Sequence, residues 1–241
     1  MPIKAIIFDV DGTLADTEDA HRLSFNQAFA ENHLDWGWDV ALYGQLLKVT
    51  GGKERIRYFI ETRLPDFRKP ADYESFVKNL HLAKTGHYTA MLRAGLIPMR
   101  PGIKQLIGDA RQAGIALAIA TTTSPENVST LLQQGLGMES ENWFAATGCG
   151  DIVPHKKPAP DIYFWILDKL GLNAADCIAL EDSENGLRSS LAAGIRTFVT
   201  TSHYTRDQDF TGAAAVFDDL NDLGYLYRAT GLALSKPGVF V

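Results

Sequence analysis

Cysteine is nearly absent from the chain: its 241 residues include two, Cys149 and Cys177. Two thiols make neither a disulfide framework nor a zinc-binding spacing, which suits a reducing compartment. Cys177 precedes an apolar run and reads as core packing; Cys149 sits in a glycine-rich turn, where nothing supports a reactive role. Long hydrophobic runs are missing too. No stretch approaches 18 apolar residues, and the N-terminus enters a strand almost at once, without the basic, apolar and cleavage regions of an export signal. The chain is therefore expected to be soluble and cytoplasmic. A basic excess is also lacking: the formal net charge is −6, and the longest basic cluster is HKKP at 155–158. Nucleic acid and anionic membrane surfaces are excluded as expected partners, because both call for clustered Lys and Arg. There is no internal repeat or low-complexity tract, although the final SKPGVFV reads as loosely attached. The expected partner is a small molecule, and the expected state a monomer.

What is present is a soluble composition, 46% hydrophobic and 22% charged, long enough for one large domain or two unequal ones. Short apolar runs recur at KAIIF (4–8), IALAIA (115–120), CIAL (177–180) and RTFVT (196–200), as in strands of a parallel sheet buried on both faces. Between them lie amphipathic helical patterns stopped by glycine: GIKQLIGDARQAG, DIYFWILDKLG and SENGLRSSLAAG. From about residue 99 the rhythm is βαβα, the pattern of an α/β doubly wound, Rossmann-like sheet. Nearly ninety residues separate Gly12 from Pro101, where one connecting helix would need about 10 to 15. That stretch is helix-patterned throughout (HRLSFNQAFAENH, YGQLLKV, ERIRYFIETRL, YESFVKNLHLAKTGHYTAML). The spacing predicts a core of residues 1–15 and 97–241 and an inserted all-helical cap over 16–96.

In open parallel sheets ligands bind beyond the carboxyl ends of the strands. The polar residues there are Asp9 and Asp11 after the first run, Thr121, Thr122, Thr123 and Ser124 after the second, and Glu181 and Asp182 after CIAL, with Lys157 just before the helix leading to CIAL. Crowded carboxylates raise one another's pKa unless a cation compensates, and an oxygen-only ligand set implies a hard divalent ion such as Mg²⁺. Asp9 is placed to attack phosphorus and form an aspartyl phosphate. Asp11 is placed to protonate the leaving alkoxide and then take a proton from water. Thr121 and the backbone N–H groups that follow suit phosphate oxygens. Lys157 neutralises charge on the transferring group, and Glu181 and Asp182 complete a metal site with Asp9 and Asp11.

Taken in order, DVDGTLADTE, ATTTS, KKPAPDIY and ALEDSENG resemble the four motifs of the haloacid dehalogenase superfamily. The resemblance implies a Rossmann-like core, Mg²⁺ dependence, Asp9 as nucleophile, Asp11 as acid/base, Thr121 and Lys157 as phosphate ligands, and a helical cap inserted after the first motif. The segments DTEDAHRLSFN, WDVALYGQLLKVTGGKERI, HLAKTGHY and YTRDQDF are similar to CbbY-type phosphatases of the Calvin cycle, which implies dephosphorylation of xylulose 1,5-bisphosphate, an inhibitor of Rubisco. Carried over by position, Glu18, the loop Thr50, Gly51, Gly52, Lys53 and Glu54, and the stretch from His81 to Lys84 contact the sugar phosphate. A second anionic group needs a grip away from the metal, for which Lys53, behind two glycines, and Lys84 are suited.

Plainer roles exist for several of these. Lys53 and Arg55 suit a solvated helix start, and Glu54 a helix N-terminus. His21 and His81 admit packing and substrate contact equally, and Tyr43 packing or cleft lining. Trp36 and Trp38 read as cap core, and Asp16 and Asp19 as caps or solvated residues of the first cap helix. DVDG lacks the later ligands of an EF-hand loop. Two other functions share the core residues. A β-phosphoglucomutase-like mutase would return the phosphate to another hydroxyl. A receiver-like phospho-acceptor switch would use an acidic pair, Thr and Lys, but its acceptor does not lie on the first strand.

Overall fold

The computed structural model describes residues 3–49 and 51–232; the final SKPGVFV and Thr50 lie outside them. The four apolar runs read from the sequence form neighbouring strands of one sheet: β1 (Ala5–Phe8), β2 (Ala116–Ala120), β4 (Cys177–Glu181) and β5 (Arg196–Thr200). Two more strands, β3 (Phe144–Gly148) and β6 (Ala215–Phe217), complete the order β3-β2-β1-β4-β5-β6, and every pairing is parallel. All four residues of β1 and all five of β4 are buried, as expected where helices cover both faces. Alternation puts Ala5 and Ile7 on the face where Ile162, Tyr163 and Ile166 pack, and Ile6 and Phe8 on the other.

The chain divides into two compact units, residues up to 16 together with those from 97 onward, and residues 17–96. The first carries the sheet with α5 (Ile103–Gln112), α6 (Pro125–Leu136), α7 (Asp161–Leu170), α8 (Glu184–Ala192) and α9 (Gly224–Thr230). α6 starts where Ser124 accepts a hydrogen bond from the Asn127 N–H and Pro125 fills the first turn, a combination that satisfies one free amide and needs none from proline. Ser183 caps α8 in the same way through the Gly186 N–H. Cys149 and Cys177 are both buried, and burial raises both thiol pKa values, which leaves little thiolate to react.

The second unit holds α1 (Glu18–Glu31), α2 (Val40–Leu46), α3 (Gly52–Arg63) and α4 (Tyr73–Arg93), with no strand among its described residues. Its core is aromatic. Trp38 is fully buried, with Phe25, Phe29 and Phe59 at ring distances of 4.5, 5.0 and 5.4 Å, within the range in which offset and edge contacts add to burial. Asn26 holds the Trp38 backbone at both ends, donating to its carbonyl at 2.9 Å and accepting from its N–H at 2.8 Å. At the start of α1, of the two readings given to Asp16 and Asp19, capping is not the one observed for Asp16, which is solvated. Thr17 occupies the cap position without a side-chain bond, Asp16 is exposed, and Asp19 pairs with Arg22 at 2.8 Å instead.

Candidate active site

The strand order reverses direction between β1 and β4, and it is from these two strands that the acidic residues emerge. Asp9 lies one residue beyond the last registered pair, Phe8 and Leu180, its N–H still donating to the Leu180 carbonyl at 3.0 Å. That places it beside Glu181, the last residue of β4. Lys157, in the turn before α7, reaches both: its Nζ lies 2.7 Å from Asp9 Oδ1, 2.6 Å from Glu181 Oε1 and 2.8 Å from the Ala120 carbonyl. An ammonium has three N–H groups, so protein acceptors engage all of them.

One ammonium thus serves two carboxylates, and Asp182 is a third. Asp9, Glu181 and Asp182 are all buried and offer oxygens within 4.8 Å of one another. The Asp9 pKa is pushed up to about 7, first by burial, against the pull of Lys157 and with further upward pushes from Glu181 and Asp11. Lys157 is shifted upward as the two carboxylates outweigh its burial. A hard divalent cation fits this donor set, since three buried carboxylates offer oxygen ligands alone and its charge would offset their mutual repulsion.

Asp11 does not belong to that group of three. After Asp9 the chain leaves the strand, and the Asp11 backbone forms a bridge with Ala15; the Asp11 carboxylate acts on Asp9 electrostatically, raising its pKa. Gly12, at φ +79°, carries the turn, and a Cβ there would overlap the Asp182 carboxylate. Gly186 stands in the same relation to Glu181. Both positions require glycine for close approach, and Gly12 also for its positive φ.

The loop after β2 is laced to β3: Thr121 N–H donates to the Gly148 carbonyl at 3.0 Å, and Gly150 N–H to the Thr123 carbonyl at 2.7 Å. Thr121 is buried and its Oγ1 accepts from the Thr123 N–H at 3.2 Å. Thr122 and Ser124 are exposed, and Ser124 is engaged at the helix start. Tyr163 escaped the sequence reading. Wholly buried on α7, its hydroxyl donates to the Glu181 oxygen that Lys157 also holds. The tyrosine was visible in KKPAPDIY, but nothing local in the sequence points a helix residue at a carboxylate on another strand.

In the helical unit the structure separates the predicted contacts. Tyr43 is fully buried; its hydroxyl donates to Glu18 Oε2 at 3.0 Å and accepts from Arg55 Nη1 at 3.0 Å. Of its two readings, packing is the one observed. Arg55 also donates to the Leu46 and Val49 carbonyls, so it straps α3 to α2 and is not a free helix-start cation. His21 stacks on Tyr88 at 3.9 Å and lies 2.7 Å from the buried Lys84 Nζ. His81 packs so closely on Gly52 that a Cβ there would overlap its ring. Its pKa falls to about 4, mainly through burial, helped by Lys84 and Lys53. Lys53, Glu54 and Gly51 are exposed, and Gly51, at φ +97°, lies against the Glu54 carboxylate.

A family model for haloacid dehalogenase-like hydrolases matches residues 3–194. Among its relatives, the plasmid-encoded protein CbbY of Cupriavidus necator is 49% identical over 220 residues, covering 91% of this chain and 87% of its own. The protein CbbY of Cereibacter sphaeroides is 45% identical, over 98% of this chain and 99% of its own. A crystal structure of a CbbY mutant from Rhodobacter sphaeroides in complex with xylulose-(1,5)bisphosphate matches with a TM-score of 0.82 and 44% identity, covering 92% of this chain and 96% of that one.

Proposed function

The chain belongs to the haloacid dehalogenase-like hydrolases, and on that premise we propose that it is a Mg²⁺-dependent phosphatase that removes one phosphate from xylulose 1,5-bisphosphate. The observation that carries this reading is the buried group at the reversal of strand order, where one lysine bridges Asp9 and Glu181 and a third carboxylate completes a cation-binding set. Similarity to a protein crystallised with that bisphosphate supports the choice of substrate, and clearing a Rubisco inhibitor is the role it suggests.

In this mechanism Asp9 attacks phosphorus through a carboxylate oxygen, forming an acyl phosphate as the P–O bond to the sugar breaks. Asp11 gives its proton to the departing sugar oxygen. A water then attacks the acyl phosphate, losing its proton to Asp11, and inorganic phosphate leaves with Asp9 regenerated. Bound Mg²⁺ would supply the positive charge that lets Asp9 ionise beside a phosphate dianion. Asp9, Glu181 and Asp182 would hold it. Thr121 and the N–H groups leading into α6 would orient the phosphate oxygens. Lys157 acts chiefly as a fixed charge that keeps Asp9 ionised and aimed, since its three protons are already engaged. The helical unit serves as the substrate-recognition cap. There Lys53 and Lys84 meet the second phosphate, and Glu18, His21 and His81 the sugar hydroxyls. The protein acts in the cytoplasm as a monomer.

The test is a phosphate-release screen with xylulose 1,5-bisphosphate, ribulose 1,5-bisphosphate, β-glucose 1-phosphate and p-nitrophenyl phosphate. One phosphate should appear per xylulose bisphosphate consumed, and Asp9→Asn should abolish release at nearly constant side-chain volume. A positional isomer formed without free phosphate would replace the phosphatase by a mutase. An active Asp9→Asn variant would remove Asp9 as nucleophile.

A further inference from the structure

Arg100 follows the helical unit in sequence and precedes Pro101 and Gly102, in a segment that carries none of the catalytic motifs. Its guanidinium makes four hydrogen bonds, all to backbone carbonyls. Nη1 donates to Gly12 O and, at 3.0 Å, to Thr200 O; Nη2 donates to Thr201 O at 2.7 Å and to Asp218 O at 2.8 Å. The four N–H groups of the two terminal nitrogens are all spent. Three of the acceptors lie at the ends of β5 and β6. The fourth belongs to the turn that carries Asp9 and Asp11.

That turn is fastened at few points. Asp9 N–H is tied to β4 through Leu180, and the amides of Thr13, Leu14 and Ala15 all point back at the Val10 carbonyl. Beyond these internal bonds, the Gly12 carbonyl is held from outside by Arg100, whose own N–H donates to Leu14 O at 2.8 Å. Gly12 is also where the turn lies against Asp182 with no room for a methyl group. A shift of Gly12 therefore moves the neighbouring Asp11 and alters its contact with Asp182 together.

We propose that Arg100 is a positioning residue for phosphoryl transfer, holding the Gly12 carbonyl so that Asp11 and Asp182 keep their places relative to Asp9. This rests on the phosphatase reading above. A planar fork with paired donors suits the task, because it reaches acceptors on three separate segments in one fixed geometry. A misplacement of about 1 Å can cost on the order of 100-fold in rate.

The experiment compares wild type with Arg100→Met, and uses p-nitrophenyl phosphate so that sugar recognition plays no part. With the variant folded and assayed well below its Tm, kcat should fall by about 10- to 100-fold while KM changes little. The rise in Tm on adding Mg²⁺ should also be smaller than in wild type. A lower Tm with unchanged kcat and an unchanged Mg²⁺-induced rise would make Arg100 merely structural and overturn the inference. Should Arg100→Met fail to fold, Arg100→Lys takes its place. Its ammonium has three donors for four carbonyls, so the same loss of kcat is expected, and wild-type kcat would overturn the inference. A wild-type protein that hydrolyses no phosphate ester, whatever the variants do, would instead overturn the phosphatase reading on which the inference stands.

Discussion

Replacing Lys157 with methionine keeps the length of the side chain and removes the cation that, among the described residues, pairs with both Asp9 and Glu181. At 2.7 and 2.6 Å, each ion pair corresponds to about 6 kcal/mol of Coulomb attraction at an effective dielectric of about 20. Most of that is offset by the cost of burying the charges. The net loss for breaking such a buried pair is about 3–5 kcal/mol, because the surviving carboxylates stay behind uncompensated. In metal-free protein they can escape by binding a proton. The variant's native state then holds protons that the unfolded chain, with carboxyl pKa values near 4, has already released, so its stability falls as pH rises above about 4. Urea unfolding in EDTA should give a deficit of about 3–5 kcal/mol against wild type at pH 8, a clearly smaller one at pH 5, and a narrowed one at pH 8 with excess Mg²⁺. A deficit that is the same at pH 5 and pH 8, or below about 1 kcal/mol at pH 8, would show that Lys157 does not carry the charge balance assigned to it.

The wild type should show a milder form of the same dependence. With Asp9 raised to about 7, metal-free protein loses stability as pH climbs from about 4 through 7, and saturating Mg²⁺ should flatten that slope in pH-dependent thermal melts. Gly186→Ala puts a methyl group into the Glu181 carboxylate. It should weaken Mg²⁺ binding measured by calorimetry, with a stability loss of about 1–3 kcal/mol for the forced shift; unchanged Mg²⁺ affinity would mean that Glu181 yields without consequence. Lys53→Ala removes an exposed cation and should leave stability within about 0.5 kcal/mol, while raising KM for the bisphosphate far more than for p-nitrophenyl phosphate. Equal changes for the two substrates would take Lys53 out of substrate recognition.

The parts of the fold legible in the sequence were those with strong local signals. Buried strands showed as apolar runs, and the helical insertion as a gap too long for one crossover. The two missed strands lie at the sheet edges. FAATG is rich in small residues and only alternately buried, and AVF is three residues long with Val216 exposed. Neither has the two-sided burial that makes a continuous apolar run. In the site, Asp9, Lys157, Glu181 and Asp182 could be grouped in advance because strand ends converge at the reversal of order. Tyr163 and Arg100 could not. One meets its carboxylate through helix packing, and the other recognises backbone carbonyls, which every residue owns and no motif can mark. Asp11 was grouped with the metal ligands as well; the group of three carboxylates within 4.8 Å is Asp9, Glu181 and Asp182, with Asp11 close enough to act on Asp9 electrostatically.

The pairing of β1 with β4 has one more implication. Asp9 and Glu181 stand on adjacent parallel strands, and neighbouring strands lie about 4.8 Å apart whatever side chains they carry. The spacing of the two backbone positions is thus a property of the sheet, a built-in ruler that substitutions can decorate but not rescale. Where the carboxylates meet is then set by the side chains standing on that fixed spacing, with Lys157 and Tyr163 both drawn to the same Glu181 oxygen.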